Sequence, residues 1–107
     1  MKIEYENNKI EKLCNDENEM KRFFKNAKLE EGLKVLMSIL NRIENVSELY
    51  NPVYKGYNYE KIQASENKYS IRIIPKKRKE IYRMYVEPKE GGVKINIIKI
   101  DDHSYDV

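Results

Sequence analysis

Leu29, Leu33, Leu36, Leu40 and Ile43 recur at intervals of four and three, which puts five apolar side chains in one stripe along a single helix face. The spacing predicts a helix from about Lys28 to Asn45, and a stripe that long must be laid against another element. Gly32 costs this helix about 1 kcal/mol relative to alanine in its first turns. Upstream, Met1, Ile3 and Tyr5 alternate with Lys2 and Glu4, the period-two pattern of a half-buried strand. A short helix is expected from about Asn8 to Cys14. Asp16 with Glu19 three residues on resembles a capping box, and it opens a second short helix through Met20, Phe23 and Phe24, whose aromatic pair is read as packing.

Downstream the period changes. Residues 47–59 hold Pro52, Gly56 and the tyrosines Tyr50, Tyr54, Tyr57 and Tyr59, and read as a connecting loop whose rings either cover the core or stack on bases. Strand patterns follow at 59–64 (weakly), 69–74 and 81–86, with Pro75 and Pro88 as outer limits of the third and 75–79 as a hairpin connection. Gly91-Gly92 turns the chain into the near-continuous apolar run 93–100, which suits a central strand. The expected fold is α+β: an N-terminal strand, two or three helices, then a four-strand antiparallel meander with the helices on one sheet face.

A chain of 107 residues, 40% hydrophobic and 36% charged, is expected to be a single domain, 1–107, with one core. One cysteine, Cys14, excludes an intramolecular disulfide. With no secretory apolar segment and no long apolar run, a cytoplasmic protein with no membrane contact is expected. Cys14 follows Ile10 and Leu13 at helical spacing and reads as a small buried hydrophobe. A lone His103, without Cys/His clusters or a glycine-rich phosphate loop, predicts neither a metal site nor a cofactor.

Charge is unevenly placed. Residues 1–50 carry nine Lys/Arg against ten Asp/Glu, and residues 51–107 twelve against eight. The surplus concentrates in 68–83, where Lys68, Arg72, Lys76, Lys77, Arg78, Lys79 and Arg83 face a single acid, Glu80. Clustered cations favour a polyanion through counterion release; a solvated lysine-rich hairpin tip is the competing reading.

Strand alternation carries the argument from charge to chemistry. If Tyr69, Ile71 and Ile73 face the helices, Ser70 and Arg72 face away from them; with Tyr82, Met84 and Val86 inward, Arg83 and Tyr85 join Arg72 on the open face. Such a surface suits RNA phosphates and stacked bases. The last strand delivers Asp101, Asp102 and His103 to its end. Cleavage of RNA by its own 2′-hydroxyl needs a base, a cation at the crowded phosphate and an acid for the leaving oxygen. His103, Arg83 and a tyrosine are the candidates; an inconsequential exposed histidine, and aspartates that merely cap the strand, are the bland alternatives.

Lys2-Ile3-Glu4-Tyr5, then Lys9-Ile10-Glu11-Lys12-Leu13-Cys14, later Tyr82-Arg83 in a strand and Ile100-Asp101-Asp102-His103 at the end together resemble the HigB branch of the RelE/ParE toxin superfamily. The resemblance spans nearly the whole chain in element order, through short motifs. It implies a RelE-like fold and a type II toxin, a ribosome-dependent mRNA endonuclease with metal-independent acid/base cleavage. The implied partners are a cognate antitoxin, as a hetero-oligomer, together with the ribosome and mRNA. By position it makes Arg83 the phosphate-stabilising cation and His103 the acid/base group. Asp102 stands where tyrosine is usual, which leaves Tyr105 or Tyr82 as the aromatic. The family's His-x-Leu-Lys-Gly segment is replaced by Glu60-Lys61-Ile62-Gln63-Ala64, so Lys61 supplies the nearby cation. RNA contacts are expected from Lys61, Arg72, Lys76, Lys77, Arg78, Lys79 and Tyr85. The same superfamily includes ParE-like gyrase inhibitors, so a gyrase inhibitor or an inactive nucleic-acid or antitoxin-binding module are the alternative readings.

Overall fold

The computed structural model describes residues 1–63, 66–76 and 81–102. Its elements are β1 (Lys2–Tyr5), α1 (Asn8–Asn15), α2 (Glu17–Phe24), α3 (Ala27–Arg42), two 3-10 turns (Val46–Tyr50 and Pro52–Tyr57), β2 (Glu60–Lys61), β3 (Tyr69–Arg72), β4 (Arg83–Lys89) and β5 (Lys94–Asp101). Each α-helix starts where a side chain satisfies orphan amides. Asn7 accepts from the Ile10 amide, Asp16 from that of Asn18, and Asn26 from those of Lys28 and Leu29, contacts worth about 1 kcal/mol apiece. Lys25, in the left-handed region at φ 51°, ends α2 and lets Asn26 start α3 at once.

The strand order is β1-β5-β4-β3-β2. β2 to β5 form the expected antiparallel meander, while β1 lies parallel to β5, with Ile3 opposite Ile95. The sheet is therefore five-stranded and mixed, not antiparallel throughout. The helices make a crossover between β1 and the meander, and a crossover of that length permits parallel pairing.

α3 lays its stripe on the sheet. Leu33, Leu36 and Leu40 are fully buried, as are Ile71, Met84, Val86, Ile95 and Ile97 from the strands beneath and Ile73 just past β3. Gly32 belongs to this contact: a Cβ there would stand 3.0 Å from the Ile73 carbonyl oxygen and 3.1 Å from Ile74 Cγ1. The helical penalty of glycine is what close approach of helix to sheet requires. Phe23, Phe24 and Tyr82 meet edge to face at 5.0–6.0 Å, so the aromatic pair does pack, fixing α2 over the start of β4.

Two expectations change. The tyrosine-rich stretch forms two 3-10 turns rather than an irregular loop, each opened by an asparagine cap, Asn45 and Asn51. Tyr57 and Tyr59 are core residues, and Tyr59 stacks on Tyr69 at 4.8 Å; burial raises the Tyr59 phenol well above its usual value. Pro88 lies inside β4 instead of bounding it. Its carbonyl accepts from Asn67 on the β3 side, past the end of β3, so its ring displaces no ladder donor toward β5.

Candidate nucleic-acid interface

The register of the meander fixes what shares the open face. Arg72 lies opposite Arg83, and Arg83 opposite Asp101; one row along, Ser70 lies opposite Tyr85 and Tyr85 opposite Lys99. Directly opposed residues point to the same face, and the residues between these rows, Ile71, Met84 and Ile100, are buried under the helices. Two guanidinium groups thus stand side by side at the end of the sheet where β5 ends.

Like charges directly opposed across strands are destabilising. The geometry adds a second cost: Nη1 of Arg83 is buried with no hydrogen-bond partner among the described residues. A buried guanidinium nitrogen left unsatisfied costs about 1–3 kcal/mol or more. An oxyanion held over the row screens the two cations from each other and accepts from their accessible N–H groups.

Tyr85 is 2% exposed, and the Lys99 ammonium sits 5.1 Å from its ring centroid. Lys99 covers the ring face, so Tyr85 is not open to a stacking base in this arrangement. Its role here is to hold a cation over the sheet. Lys99 also reaches Asp101 at 3.6 Å. Sequence reasoning missed Lys99 because the run 93–100 reads as a near-continuous apolar strand. The available signal was its spacing, two residues before Asp101.

The other candidates divide by place. Asp102 follows the end of β5, beside the arginine row. Lys61 lies opposite Tyr69, which lies opposite the buried Val86. This register puts Lys61 on the helix side of the sheet, apart from the arginines, and leaves Glu60 on the open face. Lys76 is exposed in a turn at φ 63°, tied down by its amide's bond to the Gly56 carbonyl. Tyr82 faces α2 through its contacts with Phe23 and Phe24. His103, Tyr105, Lys77, Arg78 and Lys79 lie outside the described residues.

The half of the open face nearer β1 is built differently. Glu4 takes Lys94 at 3.3 Å and Lys89 at 3.5 Å, Lys94 also meets Glu90 at 3.8 Å, and Asn96 donates to Glu6. The hydrogen bond from Lys94, aided by the charges of Lys94 and Lys89, holds the Glu4 carboxyl below its ordinary value. Among the described residues no group of three or more acidic, His or Cys side chains is placed to hold a metal ion, and no helix is long and apolar enough to cross a membrane. Cys14 is buried on α1, and burial pushes its thiol up to about 12, which makes it a packing residue. Comparison with known proteins finds no matching family model, no curated relative and no solved structure.

Proposed function

We propose that this protein binds RNA across Arg72 and Arg83 and acts as a toxin of a type II toxin–antitoxin pair, cutting mRNA on the ribosome. The observation that carries the reading is the opposed arginine pair with the buried, unsatisfied Nη1 of Arg83. A row of cations on a sheet face, rather than a groove-reading helix, suits the exposed backbone of single-stranded RNA.

The reaction follows from RNA's own chemistry. The 2′-oxygen attacks the adjacent phosphorus as a base removes its proton, and the bond to the 5′-oxygen breaks as an acid protonates it. The products are a 2′,3′-cyclic phosphate and a free 5′-hydroxyl. Charge gathers on the non-bridging oxygens as phosphorus becomes five-coordinate, and Arg83, with Arg72 alongside, is the group in position to stabilise it. In this reading His103 is the proton-transfer group, with Asp102 beside it and Tyr105 as the aromatic. An antitoxin covers the cationic face in the inactive pair, and the site is cytoplasmic, where ribosomes and mRNA are.

A pulse of induced expression tests this, with protein and DNA synthesis scored separately and new mRNA 5′ ends mapped. Rapid translation arrest with cuts inside reading frames, abolished by Arg83→Ala at equal protein level, is the expected outcome. Blocked replication with intact mRNA would move the activity to gyrase. Normal growth would leave a binding module.

A further inference from the structure

β5 outruns its neighbour. β1 pairs with β5 only from Lys94 to Ile97, and its last contact is the Glu6 amide donating to the Ile97 carbonyl. The chain then turns away into the Asn7 cap of α1. β5 continues to Asp101 with no strand on that side among the described residues. A register shift opposite Tyr85/Val86 makes Ile98 the extra residue of a β-bulge, which moves the backbone alternation by one. In a strand of given direction, the face taken by a side chain fixes the edge taken by its amide and carbonyl. Ile100 faces the core as Ile95 and Ile97 do, so its backbone groups are aimed at the open edge where those of Ile97 meet β1.

That edge is the floor of a groove of about 390 Å³ running between β5 and the two short helices. Ile10, Leu13 and Phe23 wall it, and Phe23 is 39% exposed despite its aromatic contacts. Its charged lining is Lys9, Glu19, Arg22 and Lys99, of which Arg22 pairs with Glu19 at 3.2 Å and Lys99 with Asp101 at 3.6 Å. Lys9 makes no ion pair among the described residues. An unpaired strand edge is a template for another extended chain. At about 3.3 Å per residue, the edge of residues 98–100 accepts about three residues of one.

We propose that this groove binds an extended acidic segment of a partner polypeptide, which adds to the sheet as a strand along residues 98–100. Alternate side chains of the segment point onto Ile10, Leu13 and Phe23, and its carboxylates pair with Lys9. The site stands apart from the RNA reading: it lies at the edge of the sheet, and Arg83 is not part of it.

The probe is a fluorescein-labelled octapeptide of alternating glutamate and valine, titrated into the full chain by fluorescence anisotropy, with backbone amides followed by NMR. The Glu-Val peptide is expected to bind at least about tenfold more tightly than its Lys-Val counterpart, with the largest amide shifts at residues 98–100. Lys9→Glu, an exposed first-turn change that suits a helix N-terminus, and Phe23→Ala should each weaken binding about tenfold. Arg83→Ala should leave it unchanged, so failure here is distinct from failure of the nuclease reading. Absence of saturable binding at millimolar Glu-Val peptide, or amide shifts clustered elsewhere, would overturn the proposal. So would a concentration-dependent dimer in sedimentation that protects the same amides, because the edge would then belong to a second copy.

Discussion

The two halves of the open sheet face hold similar residues arranged to opposite effect. Toward β1, Lys89 and Lys94 meet carboxylates: they share Glu4, and Lys94 also reaches Glu90. Toward β3, Arg72 and Arg83 are set against each other, and one buried Arg83 nitrogen has no acceptor among the described residues. Both halves share β4 and β5 and bury the same kind of core beneath them. One half joins its lysines to Glu4 in ion pairs, and the other sets two guanidinium groups side by side with Asp101 at the end of the row.

The largest effect should come from the face that does not distinguish the halves. Met84 lies between Arg83 and Tyr85 in sequence, is fully buried and faces the helices. Met84→Ala should cost about 2–5 kcal/mol of stability, read as a lower midpoint in urea. RNA affinity, measured where the variant is still folded, should remain near wild type. Equal loss of both would mean that the cationic row depends on the exact packing beneath it, and the comparison between halves would lose its meaning.

Arg83→Gln should do the reverse. Removing one phosphate-facing cation lowers single-stranded RNA affinity about fivefold to tenfold and flattens its logarithmic salt dependence by about 0.7. Stability should change by less than about 1 kcal/mol, because the unfavourable pair with Arg72 and the favourable one with Asp101 are lost together. A destabilised protein with unchanged RNA affinity would show the arginine pair to be a structural feature and sink the RNA reading.

The arginine row was legible because period-two alternation is local. Tyr69, Ile71 and Met84 fix the inward phase, and Arg72 and Arg83 follow without knowledge of the partner strand. The helices were legible for the same reason, since the α3 stripe and the Asp16 cap each lie within a few residues. What could not be read depends on distant contacts. The parallel pairing of β1 is set by the route of the crossover and leaves no mark on the period of either strand. The bulge at Ile98 breaks phase inside an apolar run, which hid Lys99. Lys61 was assigned by position in a motif, and only the register of the two-residue β2 decides that it faces away from the arginines. Pro88 stays in β4 because β3 ends before reaching it, a fact about a neighbour rather than about the residue.

The smallest effect, and the most direct test of the balanced half, is Glu4→Gln. Glu4 is held below its ordinary value of 4.5 chiefly by the hydrogen bond from Lys94, with the charges of Lys94 and Lys89 adding to it. A carboxyl whose folded value is depressed contributes stability that is present above its unfolded value and lost as pH falls through the folded one. Wild type should therefore lose this contribution below about pH 4.5, and the Gln variant, lacking it at every pH, should show a shallower fall in melting temperature between pH 5 and pH 3. At neutral pH the same substitution releases Lys89 and Lys94 from their shared acid. If the halves differ only in whether their cations are balanced, the variant should bind RNA slightly more tightly, with a salt dependence steeper by at most about 1.4, or about 0.7 for each lysine freed. Unchanged RNA binding alongside the expected acid behaviour would mean that free cations on this face are not enough, and that the opposed geometry of Arg72 and Arg83 is itself what recognises phosphate.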